Sequence, residues 1–455
     1  MKKTLIFSIL MLIFSIGFSA CKATPLTPQV VSKAVEIDYA ALETSVNQLD
    51  TLPEHYSEDY DTQYKNLKIR FDASVQIPVN AYCSVDRIEK MKLSDDQIDL
   101  MVRALANDRE VFFEPTEKTS EQLEREILYY KEMLLKSRDE ALKGKIVDII
   151  QEIENELASA PSDTKLKKYA ISEAPMNSEF RCISFPSDSQ DAFTTSIMFI
   201  TRGGDSFCYY FRNDMVLQTA SMVAAGDAIA GEAVGTTIPD PHLSDKDAIL
   251  VADQFLATCG IRDLVYTNAE KARVILNHSN ENKYGWNLVY LRDCGGLLAI
   301  DTGRSYSFNQ DQLPDHVAPW DSERMEFFIT EDGIDGFIWS GASNTIDEVA
   351  KNVDILPFED AMLYIGRNIK YKSLWPGKEK TNTKADILVD KIVLGNCAIE
   401  VKNHADQGYV IPVWYAHYLN HELGPDYEAW LAISAIDGSY IEPMMSADIL
   451  ASLQG

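Results

Sequence analysis

Positive charge is scarce in this chain. Its 455 residues carry 42 Lys and Arg against 70 Asp and Glu, a net charge of −28. Nucleic-acid binders present basic patches to phosphates, so this composition excludes DNA and RNA as natural partners. An anionic bilayer would repel such a body too, so membrane contact has to come through a separate anchor. Beyond the N-terminus no apolar run reaches the roughly 20 residues of a transmembrane helix. The seven cysteines form no CxxC, which leaves a zinc ribbon or a thioredoxin-type site without support. Nucleophile, phosphate and metal motifs are missing as well. Gly341-Ala342-Ser343-Asn344 lacks the second glycine of GxSxG. Gly377-Lys378-Glu379-Lys380 has neither the upstream glycine nor the Ser/Thr of a Walker A loop. Ser162-Asp163-Thr164-Lys165 spells SxxK, but in a linker and without the companion motifs. No full calcium loop occurs. We therefore expect no cofactor, no catalytic residue and no resident metal. Paired carboxylates for glycoside hydrolysis cannot be picked out of so many acids.

What the chain does have begins at its first residues. Lys2 and Lys3 precede an apolar run from Leu5 to Phe18, and Ser19-Ala20-Cys21 follows. A basic start, an apolar core of roughly 7–15 residues and small residues at the cut make a secretory signal. Phe18-Ser19-Ala20-Cys21 resembles a bacterial lipobox, with Phe where Leu is usual. Residues 1–20 are then the lipoprotein signal, and Cys21 takes a diacylglyceryl group. Two acyl chains hold a protein stably on a membrane. The expected location is the extracytoplasmic face of the cell membrane. Processing removes two lysines, which takes the net charge to −30. Residues 21–64, with Pro25, Pro28 and an acidic run from Pro53 to Asp61, predict a flexible tether. A random coil of that length spans about 35–40 Å.

Outside the cytoplasm the six remaining cysteines permit disulfides in 15 pairings. Cys182 and Cys208, in neighbouring strand-like segments, are the best candidate pair. Buried free thiols are favoured, because the chain is large enough to bury a core without staples.

Periodicity predicts an α+β fold of antiparallel sheets with packed helices. Leu67-Lys68-Ile69-Arg70-Phe71 alternates as a half-buried strand does. Ser94 and Gln97 form a capping box before a helix whose apolar face is Ile98, Met101, Val102 and Leu105. Thr119 to Ala158 reads as a charged helical hairpin with solvated outer faces. Strands follow near 180–185, 195–201 and 207–212. The passage from Ala224 to Pro241 reads as loop. From Leu243 the order repeats: a helix capped by Ser244 and ended by Gly260, then strands, including a hairpin turning at Asp332-Gly333. A second helix over Phe358–Ile369 again precedes strands, at 387–401, 410–418 and 429–436. The expected division is an N-terminal α+β domain, 65–241, and a C-terminal domain of two helix-on-sheet units, 242–455. All six tryptophans lie in the second half, where large aromatics usually serve as core. Trp414 and Trp430 are the candidate binding aromatics. His417, His421 and Glu422, with His404 and Asp406 nearby, are the most metal-like group. Their spacing at a strand end does not place two histidines on one helix face, so a polar loop is the favoured reading.

Several passages resemble a family of uncharacterised lipoproteins from clostridial and other gut Firmicutes. They are Glu331-Asp332-Gly333-Ile334-Asp335-Gly336-Phe337-Ile338-Trp339, Val353-Asp354-Ile355-Leu356-Pro357-Phe358-Glu359, Pro412-Val413-Trp414 and Ala435-Ile436-Asp437-Gly438-Ser439. The C-terminal half also resembles PepSY-like modules, in which a helix packs on a small antiparallel sheet. It is similar there to extracytoplasmic proteins that restrain a cell-wall sensor kinase, though those use a transmembrane helix as anchor. The resemblance implies a non-enzymatic protein that binds or regulates another envelope protein, and it supplies no catalytic residues. The alternatives are a lipoprotein that binds extracellular peptide or glycan and an envelope hydrolase. Oligomeric state is not legible.

Overall fold

The computed structural model describes residues 37–107, 109–115, 117–136, 140–162, 166–174, 179–184, 196–201, 208–212, 215–219, 238–276, 282–300, 320, 323–373, 385–420 and 428–441. The fold is α+β, with helices packed on two large sheets, antiparallel among the described strands except for one parallel pairing in the first.

Folded structure starts earlier than expected. Tyr39 is buried and stands edge-on to Tyr409, with ring centroids 5.0 Å apart. Leu49 is buried as well. Strand β1 (His55–Tyr60) runs antiparallel to β2 (Leu67–Gln76). The expectation of a tether through residue 64 is thus corrected for 37–64. The acidic run that read as a solvated linker is an edge strand, and charge on an edge strand blocks pairing with other chains. In β2 burial alternates without a break from Leu67 to Gln76, as its sequence requires.

Strand β3 (Val85–Lys90) leads to helix α1 (Asp95–Ala106). The Ser94 hydroxyl accepts from the Gln97 amide at 3.2 Å, and Gln97 Oε1 accepts from the Ser94 amide at 3.0 Å. Such a cap is worth about 1 kcal/mol. Strand β4 (Val111–Phe113) precedes the helical hairpin, α2 (Ser120–Lys136) and α3 (Glu140–Leu157). Strands β5 (Glu179–Ser184), β6 (Ser196–Thr201), β7 (Cys208–Arg212) and β8 (Met215–Thr219) follow. Helix α4 (Asp245–Cys259) is capped by Ser244 and ended by Gly260 at φ +68°. Then come β9 (Leu264–Leu276), β10 (Asn282–Cys294), β11 (Leu297–Leu298), β12 (Arg324–Thr330), β13 (Gly333–Ser340) and β14 (Ser343–Ala350). Helix α5 (Phe358–Ser373) precedes β15 (Ala385–Val401), β16 (His404–Asn420), β17 (Glu428–Ser434) and β18 (Tyr440–Ile441). The loop expected over 224–241 lies mostly outside the described residues.

One sheet runs β1-β2-β15-β16-β17-β18, with β3 beside β16 and β14 beside β3. The other runs β4-β5-β6-β7-β13-β12-β10-β9-β8, with β11 on β10. Sheet membership crosses the expected division at residue 241. Strand β2 is the parallel neighbour of β15, and β7 pairs with β13. The chain leaves the first sheet after β3, builds the second, and returns at β14. Helix α5 covers the first sheet with Phe358, Ala361, Met362, Ile365 and Ile369. Helices α1 and α4 share the core of the second, against Phe327, Phe337 and Trp339.

Candidate functional site

Cys21 lies outside the described residues, as do His421 and Glu422. Trp414 is not the exposed aromatic the sequence suggested. It is fully buried, with its ring edge-on to Phe358 at 5.5 Å. Strand β16 is interior to its sheet, between β15 and β17, and Trp414 faces the layer that α5 covers. Its indole Nε1 finds no hydrogen-bond partner among the described residues. Trp430, on β17, is half-buried, and its ring lies 5.0 Å from that of His417.

The candidate pair Cys182 and Cys208 is not bridged: both thiols are free and buried. Cys182 pairs with Met198 across β5–β6, and Cys208 with Ile200 across β6–β7. A whole strand therefore separates them, a spacing of about 9–10 Å, and a disulfide needs Cα atoms within about 7 Å. Burial pushes the Cys182 thiol up to about 12. It raises Cys208 as well, assisted by Cys259 and Cys182.

His417 sits between two carboxylates. Its Nδ1 is 2.7 Å from Asp390 Oδ1, and its Nε2 is 3.4 Å from Glu428 Oε2. A β-bulge between Val389 and Lys391 sets Asp390 out of the ladder. Trp430, directly across from His417 in the β16–β17 register, covers the imidazole. This cluster offers a ring face and polar edges to a ligand. Among the described residues no group of three or more His, Cys, Asp and Glu has the arrangement of a metal site.

The joint between the sheets was not legible in the sequence. Arg292, near the end of β10, donates from Nε to Glu323 at 2.7 Å and from Nη1 to Thr345 on β14 at 3.0 Å. It also donates to the Ser343 carbonyl. Glu323 accepts from the Trp339 indole at 3.0 Å and from the Ser343 hydroxyl at 3.1 Å. Burial raises the Glu323 carboxyl, against the pull of Arg292 and these hydrogen bonds. Asn396 on β15 donates to the Leu297 carbonyl at 2.6 Å and to that of Arg292 at 3.4 Å. The available signal was a lone arginine after the apolar run Leu288-Val289-Tyr290-Leu291. Beside it, burial and then Asp86 push the Cys294 thiol well up.

The helical hairpin is the most detached element. Leu123, Ile127, Ile146, Ile150 and Ile153 form a core of its own, separate from the sheet cores. At its root the Ser120 amide donates to the Pro161 carbonyl at 2.9 Å, and its hydroxyl to that of Ala160 at 3.1 Å. Leu128, Leu135 and Val147 are 67%, 87% and 50% exposed. A helix of 17 residues is about 25 Å long, so α2 and α3 form an arm of that reach.

No protein-family model matches the chain, and no curated protein matches it. Among solved structures it is similar to an uncharacterized protein from Eubacterium rectale. The identity is 12% over 90% of this chain and 99% of that one, with a TM-score of 0.46. It is also similar to the C-terminal domain of Bacillus megaterium YpeB, at 12% identity over 58% of this chain and 88% of that one, with a TM-score of 0.20.

Proposed function

We propose that this protein is a non-enzymatic lipoprotein, anchored through Cys21 at the extracytoplasmic face of the cell membrane, that binds or restrains another protein of the envelope. Its family would be the uncharacterised clostridial and gut Firmicutes lipoproteins, with two PepSY-like helix-on-sheet units formed around α4 and α5. The observation that supports a binding role is the α2–α3 arm. It carries its own core, stands on a narrow root, and leaves Leu128, Leu135 and Val147 exposed. Exposed aliphatic side chains gathered on one element mark a protein-interaction surface. The test is in-cell cross-linking of the tagged, anchored full chain, with mass spectrometry of the captured protein. One near-stoichiometric partner, lost on Leu128→Glu with Leu135→Glu, is the expected result. Capture unchanged by that double substitution would remove the arm from the reading.

A second reading, binding of an extracellular glycan or peptide, is favoured by one observation. Trp430 lies over His417, which is held between Asp390 and Glu428. Titration of cell-wall oligosaccharides against tryptophan fluorescence, with Trp430→Ala as control, tests it. No saturable change would exclude this site for those ligands.

A further inference from the structure

We infer that the outer side of α5 bordered by Tyr60, Tyr64 and Tyr364 is an oxyanion site, in which Arg367 and Lys370 receive a phosphate monoester. The site lies apart from the α2–α3 arm and stands whether or not that arm binds a protein.

Charge distribution comes first. In a chain of net charge −28, α5 carries Glu359 and Asp360 in its first turn. From Ala361 to Ser373 it has Arg367, Lys370 and Lys372 and no acid. Lys370 and Lys372 stand in the last turn, where the helix dipole favours cations without any ligand. That effect fades within one turn, and Arg367 stands before it.

The surroundings of Arg367 are built from aromatic rings. Tyr364 lies on the backbone of Gly438, where an added Cβ would fall 2.7 Å from the ring. Arg367 Cζ is 4.4 Å from the centroid of Tyr364. On the other flank Tyr60 of β1 lies on Gly366, 2.4 Å from such a Cβ. Lys370 Nζ is 5.2 Å from the centroid of Tyr64. Rings thus position both cations. Neither has a carboxylate partner among the described residues. Arg367 Nε is buried and makes no hydrogen bond there. With 70 Asp and Glu in the chain, a guanidinium fixed between rings and given no acceptor calls for one from outside.

Stereochemistry then selects the class. Arg367 and Lys370 are one turn apart, about 4.5 Å along the axis and about 60° around it. The Tyr60 hydroxyl is a third donor. Burial raises it, Arg367 lowers it and Asp61 raises it, so both charges are within electrostatic reach of that oxygen. Asp61 is the opposing carboxylate, and its Oδ1 accepts from the Gln63 amide at 2.9 Å. A guanidinium, an ammonium and a phenol hydroxyl therefore border one turn of α5. A phosphate monoester offers three oxygens and close to two negative charges, which match these donors in number and in charge. A carboxylate or a phosphodiester offers two oxygens and one charge.

The test uses the full chain in micelles of an uncharged detergent at low salt, titrated with glycerol phosphate and followed by phosphorus NMR line width. Saturable broadening is expected. Arg367→Gln should weaken the apparent affinity about 10-fold or more, and Lys370→Gln about 3-fold. Lys131→Gln, on α2, should leave it unchanged. Arg367→Gln also removes the stacking on Tyr364, so Arg367→Lys is the second variant. It keeps the charge without the fork and should retain part of the affinity, which a purely structural role would not do. Dimethyl phosphate should bind more weakly than the monoester. Phosphatidate added to the micelles should displace glycerol phosphate if the natural source is a lipid headgroup, and should leave it bound if the source is soluble; either result supports the phosphate site. Absence of saturable binding to the unaltered chain overturns it. So does binding that survives Arg367→Gln and Lys370→Gln together.

Discussion

Arg292 and Glu323 form an ion pair that is buried from both ends. Arg292 Nη2 stands 2.5 Å from Glu323 Oε2, and the two side chains are only 6% and 2% exposed. Arg292 belongs to β10 of the second sheet, yet it also donates to Ser343 and Thr345 on β14 of the first. The pair therefore sits where the chain passes from one sheet to the other.

Breaking this pair should cost more than breaking any surface bridge. Arg292→Met leaves Glu323 buried with only Trp339 and Ser343 as partners, and loss of one member of a buried pair costs about 3–5 kcal/mol. The sign with pH follows from the direction of the shift. Glu323 is raised in the folded state, so it binds protons more tightly folded than unfolded, and its contribution declines as pH rises through the folded value. Arg292 is one of the groups that lowers it, so removing Arg292 raises it further. Arg292→Met should thus be less destabilising at pH 5 than at pH 8, read from urea midpoints. An equal loss at both would show that Glu323 is not the group left uncompensated. Arg292→Met with Glu323→Leu should recover most of the stability.

Asn396 ties the same joint from the first sheet. Its amide reaches the Leu297 and Arg292 carbonyls from a position 3% exposed, so neither carbonyl has ready access to water there. Asn396→Leu should cost about 1–3 kcal/mol by removing a buried hydrogen bond from each. The two substitutions share carbonyl and guanidinium of one residue, so Asn396→Leu and Arg292→Met should be non-additive in a double-mutant cycle. Strict additivity would mean that the joint is two independent contacts.

The contrast between this joint and the helices shows what a sequence can carry. Ser94 and Ser244 announce α1 and α4 because capping is local, three residues from donor to acceptor. The β12–β13 turn is equally local at Asp332-Gly333. The pairing of β2 with β15 joins residues more than 300 positions apart, and neither strand states its neighbour. Strand β14 shows no alternation, since most of its side chains face solvent on both sides. Trp414 failed as a binding candidate for the opposite reason. From Val410 to Ala416 every residue is buried, so no period says which way the indole points.

The thiols provide a direct check on the free-cysteine arrangement. Burial pushes Cys83, Cys182 and Cys259 up to about 12 and Cys397 up to about 11. Thiolate is the reactive form, so maleimide should label these positions slowly at pH 7 in the folded protein and readily in denaturant. Denaturation without reductant should expose Cys182 and Cys208 as free thiols. A Cys182–Cys208 peptide in a non-reduced digest would require β6 to leave its place between β5 and β7.

Two glycines in helices should respond to alanine with opposite signs. Alanine gains about 1 kcal/mol over glycine in a helix interior, provided the methyl group has room. At Gly144 in α3 an added Cβ meets nothing within 4 Å. Gly144→Ala should therefore stabilise the arm by about 0.5–1 kcal/mol. At Gly366 in α5 the same Cβ falls 2.4 Å from Cδ2 of Tyr60, on strand β1. Either the helix or the strand has to shift, and overpacking of this kind costs about 1–3 kcal/mol. Tyr60 is half-buried there, packed against the core of the first sheet. Gly366→Ala should lower the melting temperature, and Tyr60→Leu in the same chain should restore part of the loss by giving the methyl group space. That rescue is specific to β1 lying under α5. If residues before 64 were a free tether, Gly366→Ala would behave like Gly144→Ala and stabilise, so the sign of one melting-temperature change decides whether the N-terminal strand belongs to the fold.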